Sequence, residues 1–171
     1  YPDRLEAHLE KSLMRLYWVS GDEPLLVQEA ADAVRAAARR AGVEERVVFH
    51  VERGFDWQDV LNESDALSLF ASRKLIETRL QNAKPGDKGS SALAELAKAQ
   101  DENVILVTSP RVDAATQKTK WFKLVDQVGG IVQVWPLAPK DLPPWIQRRM
   151  ASRGLKGDRA TVNALARKIE G

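Results

Sequence analysis

The sequence predicts an α/β domain built on a five-stranded parallel sheet with helices on both faces. Short apolar runs alternate with amphipathic helical stretches five times along the chain. The run Val104-Ile105-Leu106-Val107-Thr108 is continuously apolar, which is typical of a central parallel strand buried on both faces. Prolines after Val134 interrupt the pattern, and two short helical stretches follow them. These observations predict a doubly wound sheet followed by the start of a small helical domain.

Spacing and chain-breaking residues define the individual elements. The predicted strands are residues 15–20, 47–51, 74–78, 104–108 and 131–134. The predicted helices are residues 3–14, 25–41, 56–67, 114–128, 142–153 and 158–170, with one more that follows the polar loop 84–91 and ends near Gln100. We therefore expect an α/β domain at residues 1–138 and the beginning of a helical domain at residues 139–171.

Composition excludes several classes of protein. Apolar residues make up 44% and charged residues 29%, as in folded globular domains, and the net charge of +2 is too small to indicate a nucleic-acid partner by itself. The chain has no cysteine, which excludes disulfides and fits a reducing compartment such as the cytoplasm. No apolar run approaches the ~18 residues of a membrane span. The chain begins at Tyr1 and stops just after a predicted helix, so we expect the front part of a longer protein.

The first strand-to-helix turn is where folds of this type usually bind phosphate. A Walker loop needs several glycines there, followed by Lys and Ser or Thr. Here the turn reads Gly21-Asp22-Glu23-Pro24, with one glycine, two carboxylates and a proline that has no N–H. We therefore expect neither nucleotide nor metal at this turn, and we assign Asp22 and Glu23 to the dipole of the next helix.

Other residues with chemical potential have a plainer interpretation. His50 alternates with Phe49 and Val51 in a strand, which indicates a structural histidine. Thr108-Ser109-Pro110-Arg111 follows the fourth strand, where a nucleotide sensor would lie, but without a phosphate loop it reads as a turn. Ser72-Arg73 resembles an arginine finger in composition only, and its place before a strand favours a structural role. An NTPase with an atypical loop stays open as an alternative.

Three lysines offer a second alternative. Lys118, Lys120 and Lys123 lie near Trp121 and could form a nucleic-acid patch. Because Trp121 is at core spacing in its helix, a solvated helix face is the better interpretation. A DNA-binding module that uses these lysines therefore stays open but is not favoured.

The connection between the third helix and the third strand carries an apolar cluster. Ala66-Leu67-Ser68-Leu69-Phe70-Ala71-Ser72 places three large apolar residues within four positions. Connections normally lie on the surface, where such a cluster can mark a docking site. A helix end that tucks Leu67 and Phe70 into the core is an equally good interpretation of the spacing.

Several of these stretches together resemble the delta subunit of the bacterial DNA polymerase III clamp loader. The first strand and turn, residues 16–29, resemble the degenerate nucleotide site of that family, and residues 66–73 resemble its clamp-binding segment. Trp121-Phe122 and residues 142–146 also fit. The resemblance implies an AAA+-like domain without a Walker A loop, then a helical lid domain, and a C-terminal collar domain that this chain lacks.

The same resemblance implies a function. Members of this family engage the ring-shaped sliding clamp, the beta subunit, and open it for loading onto primed DNA, together with the gamma/tau and delta prime subunits. Leu67, Ser68, Leu69 and Phe70 would form the clamp-binding site, although the wider consensus opens with Gln where this chain has Ala66. No cofactor, metal or catalytic residue is implied for the chain alone. The family is nevertheless classed with DNA-directed DNA polymerase, a nucleotidyltransferase, as part of the holoenzyme.

Overall fold

A computed structural model describes residues 2–66, 73–155 and 157–170. Within these residues the chain has five strands, β1 Leu16–Ser20, β2 Glu45–Val51, β3 Lys74–Leu80, β4 Val104–Ser109 and β5 Gly130–Gln133. All pairings are parallel, in the order β2-β3-β4-β1-β5. The five-stranded parallel sheet predicted from the sequence is confirmed.

Eight α-helices accompany the strands in the described ranges. They are α1 Pro2–Lys11, α2 Pro24–Arg40, α3 Gln58–Asp65, α4 Gly86–Lys98, α5 Ala114–Gln117, α6 Lys120–Val128, α7 Leu142–Ser152 and α8 Arg159–Glu170, with a 3-10 turn at Pro139–Asp141. Among these described helices, none is both long enough and apolar enough to cross a membrane.

The two faces of the sheet bury separate apolar clusters, as the connectivity requires. The step from β1 to β2 crosses to the far edge of the sheet, and the later steps return, so right-handed crossovers put α2 on one face and α3, α4 and α6 on the other. On the first face, α1 and α2 pack against Tyr17, Val19 and Leu106. On the second face, α3, α4 and α6 pack against Trp18 and Ile105. Helices on both faces are thus confirmed.

The chain divides into two compact units, Tyr1–Val134 and Trp135–Gly171. In the second unit, α7 and α8 bury a small core of Leu142, Ile146, Val162 and Ala166. Arg149 lies over the ring of Trp145 at 5.3 Å from its centroid, a cation–π contact within α7. The assignment of residues 1–138 and 139–171 to an AAA+-like domain and a lid domain stays a prediction.

The predicted loop 84–91 is wrong, because α4 already begins at Gly86. Gly86 has a φ of 78°, which turns the chain into the helix. At Gly89 an added Cβ would lie 2.8 Å from the indole of Trp57 and 2.7 Å from Cβ of Pro85. The glycines that suggested a loop therefore serve a turn and a close helix contact.

Two other helix predictions also need correction. The single helix predicted over 114–128 is divided between α5 and α6, because the backbone is extended at Thr119. Asp113 caps the start of α5 by accepting from the Thr116 N–H at 2.7 Å. Thr119 then starts α6, and its hydroxyl donates to the Thr116 carbonyl at 2.6 Å. The first helix ends at Lys11 rather than Met14, whose N–H instead donates to the Tyr17 hydroxyl at 2.7 Å.

A buried carboxylate joins the sheet to α2. The Glu77 side chain on β3 is 1% exposed and accepts from two nitrogens of Arg35, at 2.6 and 2.9 Å, and from Nε of Arg46 at 2.6 Å. Burial alone would raise the pKa of Glu77, but the hydrogen bonds and charges of Arg35 and Arg46 outweigh it and hold that pKa below its ordinary value of 4.5. Deprotonated Glu77 therefore stabilises the fold.

We expect Glu77→Gln to destabilise the protein by about 3 kcal/mol at neutral pH, because it removes the buried carboxylate that faces the buried Arg35 guanidinium and leaves the exposed Asp32 as its acidic partner. A depressed folded-state pKa gives stability that is present above 4.5 and is lost as pH falls through the folded-state value. Urea unfolding at neutral pH and below 4.5 should therefore show a smaller difference between wild type and variant in acid. Asp32→Asn, which changes an exposed partner of Arg35, is the control. A difference that does not shrink in acid would contradict the assignment.

We expect Gly89→Ala to destabilise the protein by about 1–3 kcal/mol, although alanine normally favours a helix, because the new methyl group would overlap Trp57. Urea unfolding measures the change. Ser91→Ala, at an exposed position of the same helix, should stay within about 0.5 kcal/mol of wild type. Equal effects of the two changes would show that α4 can move away from Trp57 without cost.

Candidate functional site

The carboxyl ends of β1 and β4 meet where the connections leave the sheet toward opposite faces. This is the crevice in which such sheets usually bind nucleotides. Here the turn after β1 is bonded to the turn after β4. The Gly21 N–H donates to the Ser109 carbonyl at 3.2 Å, and the Asp22 carboxylate accepts from the Arg111 N–H at 3.1 Å. Trp18 Nε1 donates to the Ser109 hydroxyl at 2.8 Å beneath them.

The turn after β1 therefore makes its hydrogen bonds and packing contacts with other parts of the same chain. Gly21 is buried, and an added Cβ would lie 2.7 Å from the carbonyl oxygen of Val134. Pro24 is the first residue of α2 and supplies no N–H to a ligand, while Asp22 and Glu23 add negative charge. The geometry therefore favours a structural role for this turn over a phosphate cradle.

The predicted clamp-binding residues Leu67, Ser68, Leu69 and Phe70 lie outside the described residues. The chain on both sides of them is described. Helix α3 runs back across the sheet and ends at Asp65, and β3 starts at Lys74. Both ends of the connection therefore lie at the amino edge of the sheet, opposite to the crevice at the carboxyl ends of β1 and β4.

Buried and partly buried polar contacts, here called the anchoring network, hold these two ends together. The network consists of Glu63, Ser64, Lys74, Asp101 and Asn103. The Asn103 side chain accepts from the Lys74 N–H at 3.0 Å and donates to the Ser64 carbonyl at 3.0 Å. The Lys74 side chain is 4% exposed, and its ammonium donates to the Glu63 carbonyl and pairs with the Glu63 carboxylate, both at 3.1 Å. The end of α3 and the start of β3 are thus joined through Asn103 and through the Lys74 side chain.

Asp101 ties the anchoring network to the rest of the sheet. Its carboxylate accepts from the Ser64 hydroxyl at 3.1 Å and from the Asn103 N–H at 3.0 Å. It also pairs with Arg15 at 3.0 Å, and Arg15 donates to the Ala99 carbonyl. The residue before β1, the turn before β4 and the end of α3 are consequently fixed as one unit.

Arg73 is a structural residue, as its place before β3 suggested. Its guanidinium donates to the carbonyls of Glu102 and Ala41, both at 3.1 Å. These bonds join β3 to the turn before β4 and to the end of α2. The arrangement accounts for Arg73 without a role as an arginine finger.

The anchoring network was not anticipated from the sequence. Its partners are distant along the chain, since Asn103 is 29 residues from Lys74 and 39 from Ser64. The one local signal is the polar run Asp101-Glu102-Asn103 immediately before an apolar strand. Such residues usually mark a turn, so the pattern is not specific.

The other candidates remain on the surface or in the core. Lys118, Lys120 and Lys123 are exposed. The ring centroids of Trp121 and Trp18 are 5.2 Å apart, so Trp121 packs toward the sheet. The three lysines therefore form the solvated side of this segment. His50 is exposed on β2. In the described part of the chain, no three His, Cys, Asp or Glu side chains are grouped as metal ligands.

Comparison with known sequences agrees with the resemblance. A family model described as DNA polymerase III, delta subunit, matches residues 17–134. The chain is 31% identical over 174 aligned residues to DNA polymerase III subunit delta of Escherichia coli strain K12, an alignment that covers 100% of this chain and 50% of that protein. The chain spans about half the length of the curated relatives it matches.

Solved structures show the same fold. The Bacillus subtilis DNA clamp loader delta protein aligns with a TM-score of 0.69 at 15% identity, covering 96% of this chain and 51% of its own. A Thermotoga maritima RuvB mutant aligns with a TM-score of 0.56 at 12% identity, covering 95% of this chain and 52% of its own. The AAA+-like architecture is confirmed. Because the family model covers more than half of the sequence, this chain belongs to the delta-subunit family of the DNA polymerase III clamp loader.

Proposed function

We propose that this chain is a non-catalytic clamp-loader subunit that binds the sliding clamp through Leu67, Ser68, Leu69 and Phe70, here called the docking segment. It opens the clamp for loading onto primed DNA. The observation that carries the proposal is the apolar docking segment between two chain ends that the anchoring network holds. Membership of the delta family supplies the partner.

The energetics suit a reversible contact. Burying one Leu and one Phe in a pocket of the clamp would contribute about 1.5–3 kcal/mol each. Since about 1.4 kcal/mol is a tenfold change in affinity, the pair accounts for roughly two to four orders of magnitude. Contributions of this size to the binding free energy are typical of hot-spot residues at protein interfaces. They do not make the complex permanent, and a loader has to release the clamp.

Clamp opening requires differential binding. A protein shifts a ring between closed and open forms only by the difference in its affinity for the two. The docking segment therefore has to fit the open ring better than the closed one. Clamp opening of this kind needs no nucleotide bound to the chain itself. This is in keeping with the turn at Gly21 and Asp22, whose polar groups bond to Ser109 and Arg111.

The proposed partners follow from the family. They are the beta clamp, the gamma/tau and delta prime subunits, and primed DNA through the assembled complex. We assign no cofactor to the chain itself. The Ala66 side chain is exposed at the end of α3, where the wider consensus has Gln, so the proposed contact depends more on Leu69 and Phe70.

We expect the double change Leu69→Ala, Phe70→Ala to weaken binding to the sliding clamp of DNA polymerase III at least a hundredfold, because it removes both apolar anchors. Surface plasmon resonance with immobilised clamp measures the affinity, and thermal unfolding measures stability in parallel. The melting temperature should barely change.

The matched control is the double change Leu25→Ala, Val128→Ala. These side chains are 47% and 39% exposed on the same unit, so the control removes comparable apolar surface away from the docking segment. It should leave clamp affinity within about twofold. A large fall in melting temperature for the docking-segment variant would assign Leu69 and Phe70 to the core and reject the site.

A further inference from the structure

The anchoring network has a geometry that helix packing alone does not require. Asn103 is 6% exposed, and its one amide group bonds the last turn of α3 and the first residue of β3 at the same time. Both bonds are 3.0 Å long. A single side chain therefore fixes the distance between the two chain ends that flank the docking segment.

Lys74 adds a second, independent bond across the same gap. Its ammonium reaches the Glu63 carbonyl near the end of α3, in a setting where only 4% of the lysine side chain is exposed. Burying a charged group costs free energy unless it is paired and hydrogen-bonded. The bonds from the Lys74 ammonium have a defined direction, which an apolar residue packed between α3 and β3 would not supply.

Fixed ends matter for a short binding segment. A segment whose ends move must be ordered at the moment of binding, and the entropy of that ordering is subtracted from the affinity. Ends held by the sheet remove part of this cost beforehand. The effect should show in binding to a partner more than in stability.

We propose that Asn103 and Lys74 are positioning residues for clamp binding, which hold the two ends of the docking segment in the geometry that the sliding clamp recognises. This inference rests on the proposed function. Neither residue needs to touch the clamp. Asn103 acts through its bonds to Ser64 and to the Lys74 amide, and Lys74 acts through its bonds to Glu63.

The test compares variants of this chain for affinity to immobilised sliding clamp of DNA polymerase III. Asn103→Ala removes both bridging bonds, and we expect about a tenfold loss of affinity. Ser109→Ala is the matched control, because Ser109 is a small buried polar residue at the other end of β4. It should leave clamp affinity within about twofold at temperatures well below unfolding.

Lys74→Met provides a variant that keeps the packing volume but loses the bonds to Glu63. The change removes the buried charge itself, and the Glu63 carboxylate that it leaves is 28% exposed and can be solvated by water, so we expect only a small loss of stability. A small loss of stability together with clearly weaker clamp binding is a combination that a merely structural role does not give. It also replaces Asn103→Ala if that variant fails to fold.

Two further measurements separate positioning from general damage. Hydrogen exchange at the Lys74 amide, which donates to Asn103, should accelerate in Asn103→Ala without clamp present. In a double-mutant cycle, Asn103→Ala should have little further effect on the chain that already carries Leu69→Ala and Phe70→Ala. Additive effects would show that Asn103 acts elsewhere.

The outcomes distinguish the two proposals. If wild type binds the clamp and neither Asn103→Ala nor Lys74→Met weakens binding beyond Ser109→Ala, the positioning role is wrong and the proposed function stands. If wild type does not bind the clamp at all, the proposed function fails and this inference fails with it. Selective loss in both variants, with non-additivity in the cycle, supports it.

Discussion

Strand β4 lies between β3 and β1, and residues 104–107 are at most 1% exposed because helices cover both faces of the sheet. Burial of this run against two apolar clusters holds the central strands in register. The turns at the two ends of β4 are therefore fixed as well. Asp101 and Asn103 precede the strand, and Ser109 ends it.

The two edges of the sheet are used in different ways. At the carboxyl edge, where related folds bind nucleotides, the polar groups of the turns bond to one another. At the amino edge, buried polar side chains hold the ends of an apolar connection. At one end of the sheet the crevice is thus filled by the chain's own turns, and at the other end lies the proposed protein-binding segment. This arrangement fits membership of the delta-subunit family.

Much of the fold was predictable because hydrophobic periodicity reflects burial directly. The parallel sheet with helices on both faces follows from alternating elements and right-handed crossovers, whereas the strand order was not predicted. The start of α4 was missed because Gly86 and Gly89 have the composition of a loop, whereas Gly86 supplies the turn into the helix and Gly89 a close contact with Trp57. The division between α5 and α6 was missed because the apolar spacing on either side of Thr119 gives no sign of the extended backbone there.

The candidate site was predictable only in part. The spacing of Leu67, Leu69 and Phe70 indicated an apolar cluster but left surface and core equally open, and the resemblance supplied the partner. The anchoring network depends on pairs that are tens of residues apart, so no local pattern encodes it. Its members are ordinary turn residues until the fold brings them together.

The packing around Gly21 has a consequence for any redesign of this turn. Its backbone lies against Val134, the Gly21 N–H donates to the Ser109 carbonyl, and the Asp22 carboxylate accepts from the Arg111 amide. A lysine and a threonine placed here would therefore join a turn whose backbone already makes other contacts. A phosphate cradle at this position would require the turns after β1 and β4 and the residue after β5 to be rebuilt together.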